Sequence, residues 1–132
     1  MPGLTSSLLI PFLAPEWVTA LDAAAREVTV AGDGRLVVQQ VVRTEAGETR
    51  YHLVVGGGRI RVVPGPAEAA DVTFTQDYDV AAALSRGEFT AQQALFDGIL
   101  KVSGDLDGLA RRAGILAALG DVFAAVRSKT TY

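Results

Sequence analysis

The 132-residue chain contains no cysteine. It can therefore build no disulfide, no thiolate zinc site and no cysteine nucleophile. It has a single histidine, a single tryptophan and a single methionine, and a lone histidine has no neighbour of its kind with which to hold a metal. Cations are scarce as well: 12 Lys and Arg against 15 Asp and Glu leave a net charge of -3. Affinity for nucleic acid and for anionic lipid comes from clustered Lys and Arg, so this balance excludes nucleic acid as the main partner and disfavours electrostatic docking on membranes. Long apolar runs are also missing. The run from Leu8 to Leu13 is broken by Pro11, lacks the basic flank of a signal peptide, and falls far short of the roughly 20 residues that span a bilayer. A cytoplasmic protein without stable membrane insertion is expected.

What the chain does have is apolar material, 49% of its residues against 20% charged, which is enough to bury one core in a chain of single-domain size. The pattern predicts one domain over 15–128, with a lead segment over 1–14 and a tail over 129–132. Pro15 suits the first position of a helix and Glu16 its positive end. Trp17, Leu21, Ala24 and Val28 then recur at helical spacing, which predicts a helix over 15–28. A turn cluster over 31–35 leads into "LVVQQVVR", rich in β-branched residues and too short for a typical helix. "RYHLVV" and "RIRVVPG" follow, joined by Gly56, Gly57 and Gly58, and read as an antiparallel meander closed by Pro64 and Pro66. In "DVTFT" Val72 and Phe74 alternate with threonines, as in a strand with one dry face. Asp77 or Asp79 can cap a short helix that Gly87 stops, and Thr90 with Gln93 matches a capping box for another that ends near Asp97. "ILKVS" supplies a fifth strand with Leu100 and Val102 inward, and Asp105 caps the last helix.

That last helix carries two apolar stripes, Ile115, Leu119, Val122 and Val126 beside Leu109, Leu116 and Phe123, plus an arc of Ala110, Ala113, Ala117 and Ala124. A helix on a sheet needs only one such stripe. Other helices, a second subunit in a homodimer, or an apolar ligand are the candidate covers. Gly114 and Gly120 each cost about 1 kcal/mol relative to alanine in a helix interior, which suggests close backbone approach or a helix that bends.

Polar clusters yield little chemistry. His52 alternates with Tyr51 and Leu53, so it faces water if they face the core. Asp77, Tyr78 and Asp79 carry the groups of acid/base catalysis, but capping accounts for both aspartates. Asp105 and Asp107 lack the oxygen-rich loop of a calcium site. The triple glycine joins two strands with no following lysine and is a turn, not a phosphate cradle. Arg111 and Arg112 either hold a lipid headgroup or form a solvated face. No catalytic residue, no metal site and no cofactor is expected.

Two stretches, "PGPAEAADVTFTQDYDVAAALSRGEFTAQQALFDGILKVSGDLDGL" and "RYHLVVGGGRIRVVPGP", resemble the signature and preceding hairpin of the sterol carrier protein two family of lipid-transfer and sterol-binding domains. "FLAPEWVTALDAA" is similar to the opening of its small stand-alone bacterial members, and the likeness runs from about Phe12 to Val126. The resemblance implies an α+β fold: a mostly antiparallel five-stranded sheet covered on one face by helices, with an apolar cavity between them. It implies a non-enzymatic carrier of a fatty acyl, sterol or other hydrophobic molecule. The chain ends "SKTTY", without the peroxisomal tripeptide of some relatives. An enzyme working on a hydrophobic metabolite and a ligand-free dimerisation module are the alternatives. The expected lining is Trp17, Val38, Phe74, Tyr78, Phe89, Phe96, Leu100, Leu116, Leu119 and Phe123, with Gln40, Gln93 or Tyr78 as polar anchors. Which face Val38 and Gln40 share stays open, because a bulge at the paired glutamines would exchange them.

Overall fold

The computed structural model describes residues 9–30, 34–112 and 114–132; the expectations for Leu8, for the turn at 31–33 and for Ala113 lie outside these. In chain order the elements are β1 (Ile10–Pro11), α1 (Pro15–Ala25), β2 (Leu36–Thr44), β3 (Gly47–Gly56), β4 (Arg59–Pro64), β5 (Val72–Asp77), α2 (Tyr78–Arg86), α3 (Ala91–Phe96), β6 (Lys101–Gly104), α4 (Leu106–Arg111), α5 (Gly114–Arg127) and β7 (Thr130–Thr131). The main sheet runs β4-β3-β2-β5-β6, antiparallel throughout except for the parallel pair β2–β5. This is the α+β sheet expected from the sequence.

The β2–β3 register is unbroken from Leu36 opposite Val55 to Thr44 opposite Gly47, so no bulge interrupts the paired glutamines. Alternation then puts Val38, Gln40 and Val42 on one face with Tyr51, Leu53, Phe74 and Gln76, and this face packs on the helices. Trp17, Phe74, Leu21, Leu53 and Ile60 are among the largest fully buried side chains and occupy the interior. Gln40 and Gln76 are buried there too, and they satisfy each other: Gln76 Nε2 donates to Gln40 Oε1 at 2.8 Å.

β5 lies beside β2 and parallel to it, so the chain leaving β4 must cross the sheet to start β5. Residues 65–71 make this crossing over the face opposite the helices. Three strand spacings are roughly 14 Å, well within the reach of seven residues. The crossing is pinned from below. His52 Nδ1–H donates to Gly65 O at 2.8 Å, and Gln39 Oε1 accepts from the Ala67 amide at 3.0 Å. The Asp71 carboxylate accepts from the Val37 amide at 2.8 Å. His52 does lie on the face opposite Tyr51 and Leu53, but half-buried under this strap rather than open to water.

Several helices differ from expectation. α1 stops at Ala25, and the chain to Val28 continues in tighter i to i-3 bonds. Asp77 stands at the N-cap of α2, yet its side chain makes no capping bond. Asp105 does cap, accepting from the Gly108 amide at 2.9 Å, but the helix it starts is the short α4, which ends at Arg112 in a non-helical conformation before α5 begins. The terminal segments, expected as a lead and a tail, pair as β1 and β7.

α1 is tied to the sheet by Asp22. Its carboxylate accepts from Arg61 Nε at 2.9 Å, from the Val62 amide at 2.8 Å and from Arg26 Nη2 at 3.1 Å. Burial alone would raise its pKa; the hydrogen bonds from Arg61, Val62 and Arg26 outweigh burial and hold it at about 2, against an ordinary 3.8. Because the folded-state value is depressed, the stability this carboxylate contributes is present above pH 4 and lost as pH falls towards 2. With the arginines largely exposed, it amounts to about 1 kcal/mol. Asp22→Asn should lower stability at pH 7 by about 1–2 kcal/mol, and urea titrations at pH 7, 4 and 2.5 should show the gap between variant and wild type narrowing with acid. Gln76→Leu should cost about 1–3 kcal/mol by stranding Gln40, whereas the double variant Gln40→Leu/Gln76→Leu should recover most of that loss in the same titrations.

Candidate functional site

An apolar opening lies on the helical side, between α5 and the connection from α2 to α3. It is a groove of about 330 Å³. Leu116, Ala117, Leu119, Gly120 and Phe123 of α5 form one wall; Leu84, Phe89 and Ala91 form the other; Thr90, Gln92, Asp121 and Arg127 also border it. Four of the residues expected to line a ligand site therefore meet here: Phe89, Leu116, Leu119 and Phe123.

Local sequence builds the second wall. Gly87 takes the left-handed conformation, φ 78°, that ends α2, and the Glu88 amide closes back on Ala83 O at 3.0 Å. Three residues later the capping box opens α3: Gln93 N–H donates to Thr90 Oγ1 at 3.1 Å and Thr90 N–H to Gln93 Oε1 at 2.9 Å. The sharp bend between these two signals presents Phe89 and Ala91 to α5. A side chain at Gly87 would also meet the Arg127 guanidinium, which is held by its Nε donating to Ser85 O at 2.9 Å.

Gly114 and Gly120 do not mark a close backbone approach. A Cβ at either would meet nothing within 4 Å. At Gly120 the missing side chain keeps the groove floor low. The small arc is exposed at Ala110, Ala117 and Ala124, while both large stripes are buried, so the protein's own elements cover the stripes.

The other expected site residues are dispersed. Trp17, Val38, Phe74 and Leu100 are buried in the core. Gln40 is engaged by Gln76, and Gln93 is exposed in its capping box. Phe96 is 92% exposed, against the expectation that it faces the interior. The short helix α3 buries Ala94, and at 100° per residue Phe96 projects well away from that side. It borders a shallower recess with Phe89, Gln93 and Ile99. Tyr78 borders another open recess with Asp77, Asp79, Arg43 and Glu45, and His52 is not part of it. Arg111 is exposed, and Arg112 packs where a Cβ of Gly34 would lie; the cation on the groove is Arg127, which the sequence pattern did not single out. Its signal was its place one turn after Phe123.

Chemically, the groove offers apolar contact with two ionisable groups at its border, Asp121 and Arg127. Such a lining can hold an apolar molecule by contact. Burial pushes the Tyr51 hydroxyl above its ordinary pKa, which keeps it neutral. Among the described residues no three His, Asp or Glu side chains gather to hold a metal ion, and no helix is long and apolar enough to cross a membrane.

Solved structures share this architecture. A sterol carrier protein candidate of Thermus thermophilus is 19% identical, with 92% of this chain and 91% of that one covered and a TM-score of 0.70. A crystal structure of sterol carrier protein 2 is 18% identical, covering 89% and 98%, with a TM-score of 0.69. A palmitated sterol carrier protein 2-like protein of Aedes aegypti is 23% identical, covering 78% and 94%, with a TM-score of 0.61. At these identities the likeness concerns the fold. A search of curated proteins finds no match. The profile of the SCP-2 sterol transfer family matches residues 19–117. With most of the sequence matched by that profile and the fold shared with these structures, the chain belongs to the SCP-2 sterol transfer family.

Proposed function

We propose that this protein is a cytoplasmic, non-enzymatic carrier that holds one lipid-like molecule in the groove between α5 and the α2–α3 connection. Its binding unit is the domain over 15–128, with β1 and β7 packed onto it. The observation that carries this reading is the clustering of Phe89, Leu116, Leu119 and Phe123 around one apolar groove. Membership of a sterol transfer family supports it, as does the palmitated state of the Aedes aegypti structure.

The energetics set a minimum for the ligand. Association costs at least about 4 kcal/mol in lost freedom, and each buried methylene returns about 0.8 kcal/mol. A ligand must bury roughly fifteen methylenes to bind at micromolar strength. The groove's 330 Å³ is near the lower end of ligand-site volumes, about 300–1,000 Å³, so such a chain fills it and displaces side chains at its inner end.

Displacement of a fluorescent fatty acid, followed across saturated chains of increasing length, checks this. Affinity should rise with length until the groove is full. Gly120→Phe, which fills the floor from a position with open space, should weaken binding at least about tenfold, while Gly120→Ala should bind normally and gain about 0.5–1 kcal/mol of stability. Absence of binding by the wild type, or equal binding by Gly120→Phe, overturns the assignment.

A further inference from the structure

Among the described residues, the indole N–H of Trp17 is the buried side-chain polar atom left without a hydrogen-bond partner. Trp17 is 0% exposed. Its neighbours are rings: Phe12 edge-on at 4.8 Å, Tyr51 edge-on at 5.7 Å, and Phe123 stacked at 6.1 Å with 19° between the planes. Leaving a donor buried and unpaired costs about 1–3 kcal/mol, a penalty that phenylalanine at the same position would not carry.

Phe123 connects the indole to the groove. It borders the groove and stacks on the indole, and it lies on the wall of α5 that has no side chain at Gly120. A ligand that turned the Phe123 ring aside would extend the groove to the indole. We propose that the Trp17 Nε1–H is the buried polar anchor of this site, donating a hydrogen bond to an uncharged oxygen on the ligand: a hydroxyl, ester or ketone. This inference rests on the groove being a binding site for an apolar molecule.

An uncharged oxygen fits better than a carboxylate. The rings around Trp17 supply no cation, and the arginine of the groove, Arg127, is held at the end of α2 by Ser85. Burying a carboxylate against one neutral donor is far costlier than burying a hydroxyl that the donor satisfies.

Because Trp17 is the only tryptophan, a sample labelled with nitrogen-15 at the indole gives a single N–H resonance. Titration with 1-dodecanol, dodecane and dodecanoate then reads the site directly. The alcohol should bind about tenfold more tightly than the alkane and more tightly than the carboxylate, and it should move the indole proton downfield where the alkane does not. Trp17→Phe should bind alcohol and alkane equally. If the wild type binds both probes equally and the indole proton stays put, the anchor is wrong while the carrier function stands. Tighter binding of dodecanoate overturns the uncharged head. If no probe binds, anchor and carrier fall together. Should Trp17→Phe fail to fold, the wild-type affinities and indole shift decide.

Discussion

A parallel pair inside an otherwise antiparallel meander obliges the chain to cross the sheet, and in this protein the crossing takes the face away from the helices. β5 runs beside β2 in the same direction, and seven residues bridge from β4 at the edge. Backbone groups on such a bridge need partners. Gln39 and His52 supply them from the sheet, and Asp71 returns one to Val37. The only histidine in the chain is thereby a fastener, its ring positioned by Gly65. With the strap on one face, the helices gather on the other.

On that face the packing centres on Trp17. Phe12 brings in the segment before α1, Tyr51 the sheet, and Phe123 the last long helix, each against the same indole. Phe12 also meets Tyr78 and Tyr132, so the aromatic contacts continue to the chain's end. There Tyr132 hydrogen-bonds Ser85 at 2.6 Å beneath the Arg86 guanidinium, 4.3 Å from the ring centre. Such ring pairs contribute about 0.5–1.5 kcal/mol each beyond the area they bury. They tie β1, α1, α2, α5 and β7 into one unit, and Phe123 stands where this cluster meets the groove.

The groove arises where ordinary helix signals fall close together. Gly87 takes a left-handed backbone conformation that favours glycine. Thr90 and Gln93 start the next helix at once, and Gly120 leaves the opposite wall without a side chain. Each of these residues has a structural explanation by itself, and together they leave a narrow groove between the two helices, at whose base Leu116, Leu119 and Phe123 are almost wholly buried.

The five strands of the main sheet, the capping box at Thr90 and Gln93, the glycine stop at Gly87 and the two apolar stripes near the chain's end were all readable from the sequence, because alternation, helical periodicity and capping are local rules. The family was legible as a resemblance, carried by the quoted stretches in their order along the chain. It took the folded chain to show that β5 pairs with β2, that Gln40 meets Gln76 across 36 positions, that β1 pairs with β7, and that Phe96 points outward. The fold also separated Phe89, Leu116, Leu119 and Phe123, which border a groove, from Trp17, Val38, Phe74 and Leu100, which fill the core. The reason is that hydropathy marks a side chain as fit for burial, while what it is buried against depends on pairings between segments far apart in the chain, which no local pattern encodes.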